Sequence, residues 1–527
     1  MSAANREQFR EVIESGYTFK GDSILLGTSM LDGEPLQANQ VRIPLKTLNR
    51  HGLIAGATGT GKTKTVQNIA ERLSESGVPV LLMDIKGDLS GLAAAGSGHP
   101  KIDERHAHIG TEWIGRTYPV EFLTISEQEG VRLRATISEF GPILLSQILG
   151  LNDTQSGVLS VVFKYCDDNH LPLLDIKDLR KVLQYISDEG KEFIEKEYGF
   201  VSASSVGAIM RKLLTIEQQG ADRFFGERSF DVDDLCRLNE NGEGMINILR
   251  LDDIQSRPDL FSTFMLCLLA EIYEKFTEQG DSDRPELVIF FEEAHLMFRE
   301  ASDALLDQIE IMVKLIRSKG VGLFFCTQDP TDVPDKILGQ LGAKIQHALR
   351  AFTAKDRRAI KLTAENYPIS DFYNTDEVLT QLGIGEALVS VLNEKGIPTP
   401  LAHTLLTAPS SRMDVISDSE KREVMNASKI RNKYEEEIDR ESAYEMLSDK
   451  LERLEEEAKE EEEAPVKRES RRRRPEKSTF EQIAGHPTTK IVVRELTRGI
   501  LGVLGIKTTT RRRTTTRRRS YTRRRRR

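Results

Sequence analysis

Gly56-Ala57-Thr58-Gly59-Thr60-Gly61-Lys62-Thr63 sets glycines, a lysine and a hydroxyl at the spacing of a phosphate-binding P-loop. Glycines let the backbone curl so that consecutive N–H groups and the start of the following helix face a β-phosphate. Lys62 then reaches the β/γ-phosphates and the Thr63 hydroxyl ligates magnesium. Thr65, one turn into the helix, is counted with the nucleotide-binding residues. The chemistry implied is binding of a nucleoside triphosphate with Mg2+.

Hydrolysis needs more than a cradle. The apolar run Leu287–Phe291 ends in Glu292-Glu293-Ala294-His295. In a RecA-like reading Glu292 faces the magnesium through water, and Glu293 positions the attacking water or takes its proton. A second apolar run, Gly322–Cys326, leads to Thr327-Gln328, where Gln328 is placed to sense the γ-phosphate. Stabilising the transferred phosphoryl group takes an arginine, often from a neighbouring subunit. Arg317 is the first choice and Arg50 the second, with Arg350 and Arg357 behind them.

The elements that must position these groups are legible as alternating strands and helices. Gly52–Ala55 is a short apolar strand, and Lys64–Glu75 continues as a helix with Val66, Ile69, Ala70 and Leu73 at helical spacing. Val78–Asp84 reads as a buried parallel strand, which completes a β-α-β unit. Residues 1–50 are expected as a lead-in, with a helix at Arg6–Ser15 and short extended segments at Ser23–Leu26 and Val41–Leu45. Residues 51–132 form the first part of the core. Residues 133–235 read as a helical insertion, with amphipathic stretches at Pro142–Leu149, Ser156–Tyr165 and Asp175–Ile186. The core resumes over 236–410 with a strand at Gly244–Leu249, helices at Leu260–Phe276 and Asp303–Ser318, and strands at Lys344–Ala351 and Glu386–Leu392. This is an α/β chain with a RecA-like P-loop NTPase core and a mostly parallel sheet.

Beyond the core the composition changes. Leu447, Leu451, Leu454 and Ala458 recur at coiled-coil spacing within the charged segment 417–464, which fits a short coiled coil or a solvated single helix. Residues 465–527 read as a basic linker, a short helix at Thr489–Leu504 and a disordered Arg/Thr tail. The net charge of −9 includes eleven arginines in residues 511–527, so the rest of the chain carries −20. Any nucleic-acid surface on that acidic body must be local. No run approaches the roughly 18 apolar residues of a membrane helix, and the polar start lacks a signal-peptide core, so a soluble cytoplasmic protein is expected. Four scattered cysteines suggest neither a zinc site nor a disulfide framework.

Pro44–Thr63, Asp84–Gly91, Gly150–Gly157, Glu292–His295, Arg317–Val321 and Thr327–Pro330 together resemble bacterial HerA-like helicase-domain proteins of the YjgR type, as does the ending Arg498–Gly505. The resemblance implies an ATPase of the HerA and FtsK superfamily, with ATP and Mg2+ as ligands and a hexameric homo-oligomer that shares its ATP sites between subunits. Lys62 and Thr63 become the Walker A pair, Glu292 and Glu293 the Walker B pair, Gln328 the sensor and Arg317 the finger supplied in trans. Arg50 matches a second arginine ahead of the P-loop. DNA is the implied substrate, with a nuclease or other protein as a further partner. Two departures stand out: glutamate replaces the usual aspartate at 292, and 50 residues leave little room for the N-terminal β-barrel of archaeal HerA proteins. A protein-directed motor related to conjugation and type IV secretion ATPases, or a nucleotide-binding scaffold, are the competing readings.

Overall fold

Residues 3–463 are described by the computed structural model, apart from 254–256, 281, 299–302, 352, 437 and 439. Its strands are β1 (Ser23–Leu31), β2 (Glu34–Pro44), β3 (Gly52–Ala55), β4 (Val80–Asp84), β5 (Val120–Thr124), β6 (Val131–Arg132), β7 (Ile246–Arg250), β8 (Leu287–Phe291), β9 (Val321–Thr327), β10 (Ala343–Gln346), β11 (Glu386–Ser390) and β12 (Ala402–Leu406). They form a single sheet in the order β2-β1-β12-β11-β10-β3-β9-β8-β4-β7-β5-β6. From β10 through β6 every neighbouring pair is parallel. The remaining four strands, β11, β12, β1 and β2, run antiparallel to their neighbours.

Strand period decides which face each side chain enters. In β8, Leu287, Ile289 and Phe291 join one apolar cluster while Val288 and Phe290 join the other. The first cluster also takes in Leu145, Val162, Leu183 and Leu213 from the helices between 137 and 218, together with Phe264 and Val313. Residues 133–235 therefore cover one face of the sheet and share its core. The second cluster holds Phe9 and Ile13 of the first helix and Val66, Ile69 and Leu73 of the helix Lys62–Glu75.

Several expectations change in detail. The extended segments near 23–26 and 41–45 are parts of one long hairpin, β1 and β2, which extends the main sheet. The strand expected over 344–351 stops at Gln346, because His347 turns in under the P-loop. In the helix Ala443–Glu463, Leu447 is buried and Leu451 half-buried against the chain's own core, whereas Leu454 is exposed. That seam is thus partly used within the chain. The helix expected at 489–504 and the Arg/Thr tail lie outside the described residues.

Two internal fastenings hold the core elements that matter most. Residues 408–413 run along the P-loop helix as a strap. The Asn68 amide donates to Ala408 O at 3.2 Å, the Gln67 amide donates to Ser411 Oγ at 2.6 Å, and Glu71 accepts from the Ser410 and Ser411 N–H groups at 2.8 and 3.0 Å. At the start of β3, the buried His51 ring joins three elements. Leu323 N–H donates to Nδ1 at 3.1 Å, so Nε2 carries the proton and donates to Val313 O at 2.8 Å. His51 also holds φ at 60°, a conformation costly for a non-glycine residue, and both ring bonds oppose its relaxation.

Burial, with the nearby Arg317 charge acting in the same direction, holds His51 down to about 4, so it is neutral in the fold. A depressed folded value gives stability that is complete above pH 6.5 and is lost as pH falls towards 4. Relative to His51→Gln, the wild-type advantage in thermal unfolding should stay constant above pH 7 and shrink by about 3 kcal/mol by pH 4. A gap that does not vary with pH would remove this role from His51.

Candidate active site

The P-loop sits at the C-terminal edge of the parallel sheet, pinned from both sides. Gly56 N–H donates to Thr327 O at 3.2 Å, at the end of β9, and Ala57 N–H donates to Ala348 O at 2.8 Å, just after β10. Gly56 has φ 148°, and a side chain there would place its Cβ 2.5 Å from His347 Cβ. Gly61 has φ 112° and abuts the Gly385 backbone, with 3.3 Å from its would-be Cβ to Gly385 N. Both positions therefore demand glycine for conformation and for space. Thr58 and Gly59 are exposed at the loop tip, Thr60 is buried, and Thr63 is half-buried in the first turn of the helix.

Lys62 donates to Gly56 O at 2.5 Å and Ala57 O at 3.1 Å, folding its ammonium over the loop. Burial, then the Lys86 charge, holds its pKa below the ordinary lysine value. Thr65 is buried, with its hydroxyl 3.0 Å from His347 Nε2. Burial and the Lys62 charge press His347 down to about 4, so it is a neutral support under the loop.

Two strands away from β3, beyond β9, β8 delivers Glu292 and Glu293 to the same edge. Strand spacing sets that offset at roughly 10 Å, enough for a phosphate and a water between loop and acids. Glu292 is buried, and one of its carboxylate oxygens has no hydrogen-bond partner among the described residues. It lies with Asp84 and Asp88, their ligand oxygens all within 4.8 Å of one another. Burial first, then Asp84 and Asp88, raises Glu292 well above an ordinary glutamate. Burial and Asp88 lift Asp84 to about 6, although its carboxylate accepts from the N–H groups of Gly87, Asp88 and Leu89. Like charges gathered this tightly call for a proton or a cation between them. An all-oxygen set with an orphaned carboxylate oxygen fits Mg2+, which Asp84, Asp88 and Glu292 would hold. A divalent ion there would supply charge neutralisation to a phosphate.

Glu293 is treated differently. Its carboxylate Oε1 pairs with Lys86 Nζ at 2.5 Å, while Oε2 lies 3.3 Å from His295 Nδ1 without a hydrogen bond, and its backbone holds φ at 46°. Burial opposes its charge, yet Lys86 prevails and keeps Glu293 below the ordinary value; Lys86 is raised in return. Glu293 thus stays an oriented carboxylate while Glu292, next in sequence, is pushed towards protonation or metal binding. Gln328 is exposed one residue past Thr327, which pairs in register with Ala55, so it borders the P-loop.

The arginines fall elsewhere. Arg50 precedes β3 and Arg317 precedes β9, which places both at the N-terminal edge of the sheet. From Arg50 to Gly56 the chain rises roughly 20 Å, further than an arginine side chain reaches. There they line a cleft of about 450 Å³ with Lys46 and Lys314, and Glu278 and Glu394 also line it. Partial burial and the nearby Arg50 charge lower Arg317 from its ordinary value. The fold therefore joins Gly56 to Thr63, Thr65, Glu292, Glu293 and Gln328 at one edge, and Arg50 and Arg317 at the other. Asp84, Lys86 and Asp88 are the site residues that the motif reading left without a role. Their signal was an aspartate closing a buried strand and followed at once by Lys-Gly-Asp.

Residues 29–512 match the family described as helicase HerA-like C-terminal. A curated relative from Sulfolobus acidocaldarius, the DNA double-strand break repair helicase HerA, is 24% identical over 68% of this chain and 66% of its own length. The DNA import protein CedB of the same organism is 23% identical over 73% of this chain and 56% of its own length. The chain thus spans less than two thirds of these relatives. Among solved structures, the bacterial conjugative coupling protein TrwBdeltaN70 superposes with a TM-score of 0.49 at 14% identity, covering 77% of this chain and 94% of that one.

The Lys86–Glu293 pair yields a direct expectation. If Glu293 is the base, Lys86→Ala should lower kcat about tenfold in an ATP turnover assay while KM stays within about threefold, because the lysine orients that carboxylate and not the nucleotide. Lys86→Arg should keep most of the rate. A Lys86→Ala enzyme with unchanged kcat, or with its whole defect in KM, would show that Lys86 has no part in positioning Glu293.

Proposed function

This chain belongs to the helicase HerA-like C-terminal family, and from that membership we propose that it is an ATP-hydrolysing motor that moves along or unwinds DNA as a ring of identical subunits. The single observation that carries the shared-site part is the separation of Arg50 and Arg317 from the P-loop of their own chain, on opposite edges of one parallel sheet. Two such edges complement each other when copies are arranged head to tail. One copy then offers the loop, Lys62, Glu292, Glu293 and Gln328, and the next offers the arginines. A head-to-tail contact that closes makes a ring, and the reading favours a hexamer.

Within that arrangement each side chain has a distinct task. The loop N–H groups and Lys62 bind the phosphates of ATP, and Glu292 with Thr63 holds Mg2+. Glu293, kept ionised and aimed by Lys86, orients water and accepts its proton at Oε1 or Oε2. Gln328 orients the same water or reads the terminal phosphate. Arg317, with Arg50 behind it, stabilises charge on the transferred group, a contribution of about 10³ to 10⁵ in rate for arginine fingers generally. DNA as the moved substrate is supported by the two curated relatives, one a DNA double-strand break repair helicase and the other a DNA import protein. No described helix is long and apolar enough to cross a membrane.

Lys62→Ala and Arg317→Ala proteins should each lose at least about 99% of wild-type ATPase. Mixed after co-assembly, they should recover partial activity, since some interfaces then pair an intact P-loop with an intact Arg317. Co-assembly without any recovery would place Arg317 outside the catalytic interface. Duplex or single-stranded DNA should also stimulate the wild-type rate, and binding should weaken steeply with salt. Absence of both responses would favour a protein-directed motor.

A further inference from the structure

The acidic body leaves DNA no general surface to bind, yet a local cationic ridge stands among its described residues. Residues 350–361 hold Arg350, Lys355, Arg357, Arg358 and Lys361 against a single acid, Asp356. All five cations are exposed, and none of their side chains makes a hydrogen bond or ion pair with another described residue. Asp356 is engaged by its own helix start, accepting from Thr353 N–H at 2.8 Å. Elsewhere Arg72, Arg116, Arg180, Arg237, Lys275 and Lys433 are all tied to carboxylates. Cations concentrated on one exposed helix with few acids beside them repel each other and draw solvent counterions, the condition under which a phosphate backbone binds by displacing those ions.

The ridge is also mechanically joined to the candidate active site. After β10, His347 N–H donates to Ala55 O at 2.7 Å, and the following Ala348 O accepts from Ala57 of the P-loop at 2.8 Å. Two residues later comes Arg350. The helix Ala354–Glu365 then packs against the turn Pro330–Asp332, which follows Gln328. A load on this helix therefore bears on both the P-loop and the Gln328 turn. Along the helix, Lys355, Arg358 and Lys361 succeed one another at three-residue spacing on a common exposed side. Glu365, one turn further on, adds one opposing charge.

The geometry points to the helix Ala354–Glu365 as the element that grips the phosphodiester backbone of DNA, with Lys355, Arg358 and Lys361 as its contacts. The assignment rests on the DNA reading above and gives that reading a place on the chain. A motor needs its substrate contact linked to its phosphate sensor, and this helix meets both demands. Backbone contacts of this kind carry no base sequence information.

The test uses the full chain and its Lys355→Ala/Arg358→Ala/Lys361→Ala variant, with ATPase and DNA binding measured across a salt series. The variant should keep the DNA-free ATPase rate within about twofold and its thermal midpoint near wild type, since the side chains are exposed. Its DNA stimulation should fall at least about tenfold, and the slope of log affinity against log salt should drop by about 2 to 3, near 0.9 per lost phosphate contact. The corresponding triple glutamate variant should fall further. Unchanged stimulation and slope, in a chain whose wild type responds to DNA, would overturn the assignment while leaving the DNA motor intact. Equal stimulation of wild type by polyglutamate would overturn it in favour of an acidic protein segment. A wild type with no DNA response would overturn the DNA reading itself, and this assignment with it.

Discussion

A parallel strand has two ends, and everything in this molecule follows from what is attached to each end of β3. Its C-terminal end opens into the P-loop, while its N-terminal end is preceded by Arg50 and fastened by His51 to β9 and to the helix that leads to Arg317. Four buried strand residues separate the two. Since the sheet is rigid and apolar on both faces, that separation does not close within one chain. The arginines are held in fixed relation to a phosphate-binding loop they do not serve. An account of catalysis that uses them must therefore bring in a second copy.

At the P-loop edge, two adjacent glutamates acquire opposite electrostatic characters from their surroundings. Glu292 is surrounded by aspartates, and Glu293 is paired with Lys86. Burial acts first on Glu292, and the charges that then set the two glutamates apart come from one loop, residues 84–89, which Asp84 closes by accepting three of its own backbone N–H groups. That loop turns Asp88 towards Glu292 and Lys86 towards Glu293. One acid thereby suits a metal and the other suits a base, a division that residue identity alone would not produce.

Much of this was legible before folding. The runs at 80–84, 287–291 and 321–327 are continuous and apolar because both faces of a parallel sheet are covered, and a P-loop between strand and helix has few other readings. β5 escaped notice because Glu121 interrupts Val120–Thr124; that carboxylate is buried only by pairing with Arg237 at 2.9 Å, a partner 116 residues away. The strand expected to continue past Gln346 stops because the His347 ring supports the P-loop, a tertiary demand with no local signature. Asp84, Lys86 and Asp88 were visible as a motif but had no assigned task, since their partners arrive on β8. Likewise Arg50 and Arg317 were chosen by type and neighbourhood, and only the strand order shows that they share an edge.

The central claim is that a complete site exists only between two copies. A cryo-EM map of the assembled protein with a non-hydrolysable ATP analogue and Mg2+ tests it most directly. The account predicts a closed ring in which Arg317 of each copy faces the analogue held by Gly56 to Thr63 of its neighbour, with Arg50 beside it. Analogue held in isolated copies, or a ring in which Arg50 and Arg317 face solvent away from every P-loop, would contradict it.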